Sequence, residues 1–93
     1  MTTVYRRTDS FDHEEFEDEL VLMELESLAV VTLNATGRMV WEALDSVTTL
    51  DQIGELLRDI FPDVDADTLR RDIQSVLDTL AAARLVAAES GES

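Results

Sequence analysis

A single histidine and the dense run of carboxylates around it are the residues that first invite a chemical reading. A catalytic histidine needs an orienting acid, a nucleophile within reach, and a rigid frame that holds all three. His13 has acids on both sides, namely Asp12, Glu14, Glu15, Glu17, Asp18 and Glu19. The same density of like charge predicts a mobile, loosely packed loop over residues 10–19, pinned to the body by Phe11 and Phe16. His13 therefore reads as a solvated loop residue. A calcium loop needs a glycine for its sharp turn, and this run has none, so no metal site is expected. Gly37, Gly54 and Gly91 are isolated and build no phosphate cradle. The chain has no cysteine, which removes disulfides, thiolate zinc sites, cysteine nucleophiles and iron–sulfur ligation together. With no catalytic constellation left, the chain is expected not to be an enzyme and to need no cofactor.

One further motif has to be weighed. Asp45-Ser46-Val47 resembles the Asp-Ser-Leu of acyl carrier proteins, where the serine carries phosphopantetheine at a helix start. Two features oppose that reading: the text before residue 34 is rich in strands, and Ser46 follows a helix. As a helix-end turn, Asp-Ser needs no function. The charge excludes more. With 21 acidic and 7 basic residues, every one of the latter Arg, the formal net charge is −14. A field of that sign repels nucleic-acid phosphates, so a nucleic-acid partner is not expected. No apolar run approaches the roughly 18 residues that span a bilayer. The N-terminus lacks the apolar stretch of a signal peptide. The expectation is a cytoplasmic protein with no membrane partner, in one domain.

The elements follow from hydrophobic periodicity. Residues 3–8 suggest a first strand. Residues 20–25 and 28–33 are short, apolar and partly β-branched, and read as the second and third. Only Glu26-Ser27 separates them, without the Asn-Gly or Gly-X of two-residue turns, so a longer loop over 24–28 is expected. At Asn34 the pattern changes. Gly37, Val40, Trp41 and Leu44 recur at helical spacing, and Asn34 is placed to cap the helix, predicted over residues 35–45. Thr49 and Gln52 form a capping box for a second helix, which ends at Phe61 because Pro62 follows. Asp65 caps a third helix, which carries Leu69, Ile73, Val76, Leu77 and Leu80 and runs to residue 83 or 84. Leu85-Val86 packs back or adds a short strand, and residues 87–93 read as a disordered C-terminal tail. The fold class is α+β: a three-stranded antiparallel sheet packed on a three-helix, winged-helix-like unit over residues 1–86. The third strand is apolar and has no strong later strand to cover its outer side. Such an edge accepts a peptide as an extra strand, or pairs with a second copy, giving a monomer or an edge-paired homodimer.

These residues carry a family likeness. Leu33-Asn34-x-Thr36-Gly37-x3-Trp41-x2-Leu44 resembles the strand-to-helix junction of the PqqD-like proteins, the stand-alone RiPP recognition elements. Thr49-x3-Ile53 and Asp72-x3-Val76-Leu77-x2-Leu80-x4-Leu85-Val86 resemble the family's later helices and its exit. The likeness spans roughly residues 20–86. Arg84 departs from it, standing where the family often has Gly, and so does Glu26-Ser27 at the hairpin turn. The resemblance implies a non-catalytic chaperone that binds the leader segment of a ribosomally made precursor peptide. It delivers that peptide to a maturation enzyme, either a radical-SAM enzyme or a leader peptidase and cyclase pair. It further implies that the leader adds as a strand along Leu28, Ala29, Val30, Val31 and Thr32 and meets Arg70, Ile73, Gln74 and Leu77 on the third helix. Alternatives are an acyl-carrier-like protein and a winged-helix interaction module that does not bind DNA.

Overall fold

The computed structural model describes residues 3–46 and 48–90. In order, the elements are β1 (Thr3–Arg7), β2 (Phe11–Glu15), β3 (Leu20–Glu24), β4 (Val30–Leu33), α1 (Ala35–Ala43), β5 (Thr48–Thr49), α2 (Leu50–Ile60), α3 (Ala66–Ala82) and β6 (Val86–Ser90). The α+β class and the three helices are as expected. The strands form two three-stranded sheets, ordered β5-β1-β6 and β2-β3-β4, with every pairing antiparallel. The expected second and third strands are β3 and β4.

Two segments correct the sequence reading. The acidic run is a strand: β2 pairs with β3 from Phe11↔Glu24 to Glu15↔Leu20. Cross-strand pairing with β3 outweighs the like-charge repulsion there. Alternation sends Asp12 and Glu14 to one face and Phe11, His13 and Glu15 to the other. On that second face, Phe11 packs its ring at 5.1 Å and 90° to Trp41, and Glu15 ion-pairs with Arg38 of α1. Phe16 N–H donates to Glu19 O at 2.8 Å and closes the hairpin, while the Phe16 ring stays exposed and pins nothing. The expected tail is also a strand through Ser90: β6 pairs with β1 from Arg7↔Val86 to Thr3↔Ser90. Ala87, Ala88 and Glu89 have little intrinsic strand preference, and it is the pairing with β1 that orders them. Residues 91–93 of that tail lie outside the described residues, as does Val47 of the Asp-Ser-Val motif.

The caps stand as predicted. Asn34 Oδ1 accepts from Gly37 N–H at 2.9 Å, Thr49 and Gln52 form the capping box, and Asp65 accepts from the amides of Asp67 and Thr68. Gly37 sits at a tight corner. A Cβ there would stand 3.0 Å from Leu33 Cδ2 and 3.1 Å from Leu33 Cβ. Helix α3 ends in a Schellman motif: Leu85 N–H donates to Leu80 O at 2.9 Å and Arg84 N–H to Ala81 O at 3.0 Å. Arg84 takes the left-handed position of that motif at φ 63°, which explains why glycine suits the site.

Trp41 joins the two sheets to α1. On one side it meets Phe11 of β2; on the other, the Arg7 guanidinium of β1 stands 4.3 Å from its ring centroid. Desolvation in this position lowers the Arg7 pKa, opposed by Asp45 and Glu42, and the side chain stays a cation because its starting value is so high. The core beneath holds Leu22, Val40, Leu44, Ile53, Leu57, Ile73, Leu77, Leu80 and Leu85, all essentially sealed from water. Burying each such side chain contributes about 1.5–3 kcal/mol.

Candidate functional site: the open edge of β4

Strand register decides which backbone groups are free. Met23 pairs with Val30 and Val21 with Thr32, and Glu24 N–H donates to Ala29 O at 2.9 Å. That bond makes Met23–Val30 a non-hydrogen-bonded pair. The N–H and C=O groups of Val30 and Thr32 therefore point away from β3. As the last strand of the order β2-β3-β4, β4 offers them to no strand of its own sheet. Val30 is 60% exposed, and β4 carries no charge that would discourage pairing.

Beside this edge lies a cleft of about 260 Å³. Val31, Leu33, Gly37 and Val76 supply its apolar part, and Glu19, Thr32, Asn34, Ser75 and Thr79 its polar part. Val76 packs on the core from α3. An extended peptide laid along β4 would thus meet backbone partners on one side and a helix flank on the other.

The loop leading into β4 is held by a carboxylate. Glu24 is 4% exposed, and its Oε1 accepts from Ser27 N–H at 2.8 Å, Ser27 Oγ at 2.9 Å and Glu26 N–H at 3.2 Å. The Ser27 amide, followed by the remaining donors and Arg84, outweighs desolvation and holds the Glu24 carboxyl below the usual carboxylate range. Leu28 N–H donates to Glu24 O at 2.8 Å, and Leu28 itself sits at φ 64°. The turn therefore uses the longer loop expected from the sequence.

The residues predicted to contact a leader divide into three groups. Val30, Val31 and Thr32 lie on β4, with Val30 and Thr32 outward and Val31 buried toward α3. Leu28 and Ala29 belong to the turn, where Ala29 O is already bonded to β3. On α3 the expectation needs correcting. Ile73 and Leu77 are 0% exposed, so they support the groove from within the core and cannot touch a strand laid along it. Arg70 and Gln74 are accessible but on the other flank. Successive helical residues step by about 100°, which sets Gln74 and Val76 on opposite sides of the core stripe. Arg70 ion-pairs with Asp51 at 2.6 Å, Gln74 bonds Asp78 at 2.8 Å, and both line a separate hollow with Thr3, Tyr5 and Thr49. The helix residues beside β4 are Ser75, Val76 and Thr79. Their only signal in the sequence is a small and β-branched flank next to the leucine stripe.

Elsewhere, His13 lies exposed on β2, with its ring 6.3 Å from that of Phe11. Among the described residues, no group of three or more His, Asp or Glu is placed to hold a metal ion, and no helix is long and apolar enough to cross a membrane.

With this geometry in view, the comparisons with known proteins converge. A solved structure described as TbiB1 in complex with the TbiA(beta) leader peptide superposes with a TM-score of 0.75 at 25% identity, over 95% of this chain and 98% of that one. A lasso peptide synthetase B1 complexed with a leader peptide gives 0.73 at 18% identity, over 89% and 96%, which is a likeness of fold. A search of curated proteins finds no match. Residues 19–86 match the family described as coenzyme PQQ synthesis protein D, so well over half of the sequence, including both β4 and α3, is accounted for, and the chain belongs to the PqqD family.

Proposed function

We propose that this protein is a non-catalytic recognition element for the leader segment of a ribosomally synthesised precursor peptide. The leader adds as a strand to the free edge of β4 and packs its inward side chains into the cleft beside Ser75, Val76 and Thr79. The observation that carries this reading is the uncharged outward row of Val30 and Thr32 beside a cleft of mixed apolar and polar lining. Its support is the likeness to TbiB1, a protein solved with a leader peptide. The protein then presents the bound precursor to the enzyme that modifies it, a radical-SAM enzyme or a leader peptidase and cyclase pair. Backbone pairing supplies affinity and the cleft selects among side chains.

The test is Val30→Pro. Proline removes an outward N–H without touching the ladder to β3. Leaving its acceptor in the leader unpaired costs about 1–3 kcal/mol, or roughly a 10- to 100-fold loss of affinity for the precursor leader encoded beside the gene. Fluorescence anisotropy with labelled leader measures it. Unchanged affinity in a folded Val30→Pro variant would rule out strand addition at this edge.

A further inference from the structure

The cleft beside β4 contains one charged side chain, Glu19. Its position is set twice over. Phe16 N–H donates to Glu19 O at 2.8 Å and fixes the hairpin end, while the pairing of Leu20 with Leu33 places that end beside the last residue of β4. The nearby cation of α1 is already engaged: Arg38 pairs with Glu15 and with Glu42. No arginine lines the cleft, and among the described residues Glu19 enters no ion pair. The chain carries a net charge of −14, so the potential at this lip is not neutralised from a distance. The site thus pairs an apolar floor with an unmatched carboxylate at one end.

We infer that Glu19 selects leader segments in which an apolar anchor and a Lys or Arg face the cleft together. This inference rests on the strand-addition reading. In an extended peptide only residues an even number of positions apart share a face, so anchor and cation must stand at an even spacing. An acidic residue at the cation's position is disfavoured by Glu19 and by the field of the whole chain. Charges at such a rim act on specificity and encounter rate more than on total affinity.

A random-peptide display library, selected in parallel against the wild type and the Glu19→Gln, Glu19→Lys and Val30→Pro variants, tests this. The wild type is expected to enrich peptides with an apolar residue and a Lys or Arg at an even spacing. Glu19→Gln loses the preference for the cation, and Glu19→Lys replaces it with Asp or Glu, while the apolar anchor persists in both. In an enriched peptide, Gln in place of the cation weakens binding to the wild type about fivefold at low salt, the size of an exposed ion pair. The same change leaves binding to Glu19→Gln unaltered. If enriched peptides depend on Val30 but show the same charge preference with Glu19→Lys, the role of Glu19 is overturned and the β4 groove stands. If no enriched peptide is sensitive to Val30→Pro, both readings fall.

Discussion

β2 and β4 are the two edges of one sheet, and they are built in opposite ways. β2 carries Asp12, Glu14 and Glu15 in five residues; β4 is Val30, Val31, Thr32 and Leu33, with no charge at all. An exposed edge is a template for any passing strand, and charge is a common means of discouraging it. On the proposed reading, the acid of β2 discourages pairing at that edge and leaves the uncharged β4 edge for the leader. The hairpin end after β2 places Glu19 at the cleft beside β4.

Exchanging the character of the guarded edge should have the largest effect. Asp12→Val combined with Glu14→Val removes two of the three acids and gives the sheet two open edges. Concentration-dependent self-association is expected in sedimentation velocity, with wild type unaffected at the same concentrations. A double variant that behaves like wild type would show that the charges of β2 are not what protects it.

A smaller effect is expected where β4 meets α1. Gly37→Ala drives a methyl against the Cβ of Leu33, an atom too close to the backbone to move aside. Overpacking of this kind costs about 1–3 kcal/mol, which lowers Tm by roughly 4–8 °C for each kcal/mol in a domain of this size. Thermal unfolding measures it, and no change or a gain would show that the corner is looser than its contacts imply.

The smallest effect concerns the turn that aligns β4. The Glu24 carboxyl titrates below its usual value because turn amides favour its charged form. Its contribution is therefore complete above the unfolded value of about 4.3 and is lost as pH falls through the lower folded value. Glu24→Gln should lower Tm modestly at neutral pH, and the gap from wild type should narrow as the pH drops below about 4. A gap that holds constant to low pH would mean that the charge of Glu24 does not secure the turn.

Much of this architecture was legible in the chain. The three helices, the caps at Asn34, Thr49 and Asp65, and the β3–β4 pair follow from local rules about periodicity and side-chain hydrogen bonding. The apolar strand over residues 28–33 could be read as well, but not that Val30 and Thr32 carry its free backbone groups, because that depends on the register with β3. What could not be read depends on distant partners. β2 is stable because Arg38 and Trp41 receive its inner face, and β6 because β1 pairs with an alanine-rich segment. The face that α3 turns to β4 also depends on tertiary packing. Ile73 and Leu77 are apolar, and apolar residues suit a groove and a core equally well; only the rotation of the packed helix shows that they are sealed inside while Val76 borders β4.

Backbone pairing at β4 is the central claim, and amide hydrogen exchange resolved by NMR tests it most directly. Val30 and Thr32 amides should exchange rapidly in the free protein and become protected on addition of the precursor leader, with shifts at Ser75, Val76 and Thr79. Protection appearing along β2 or β6, with Val30 and Thr32 exchanging as before, would contradict the account.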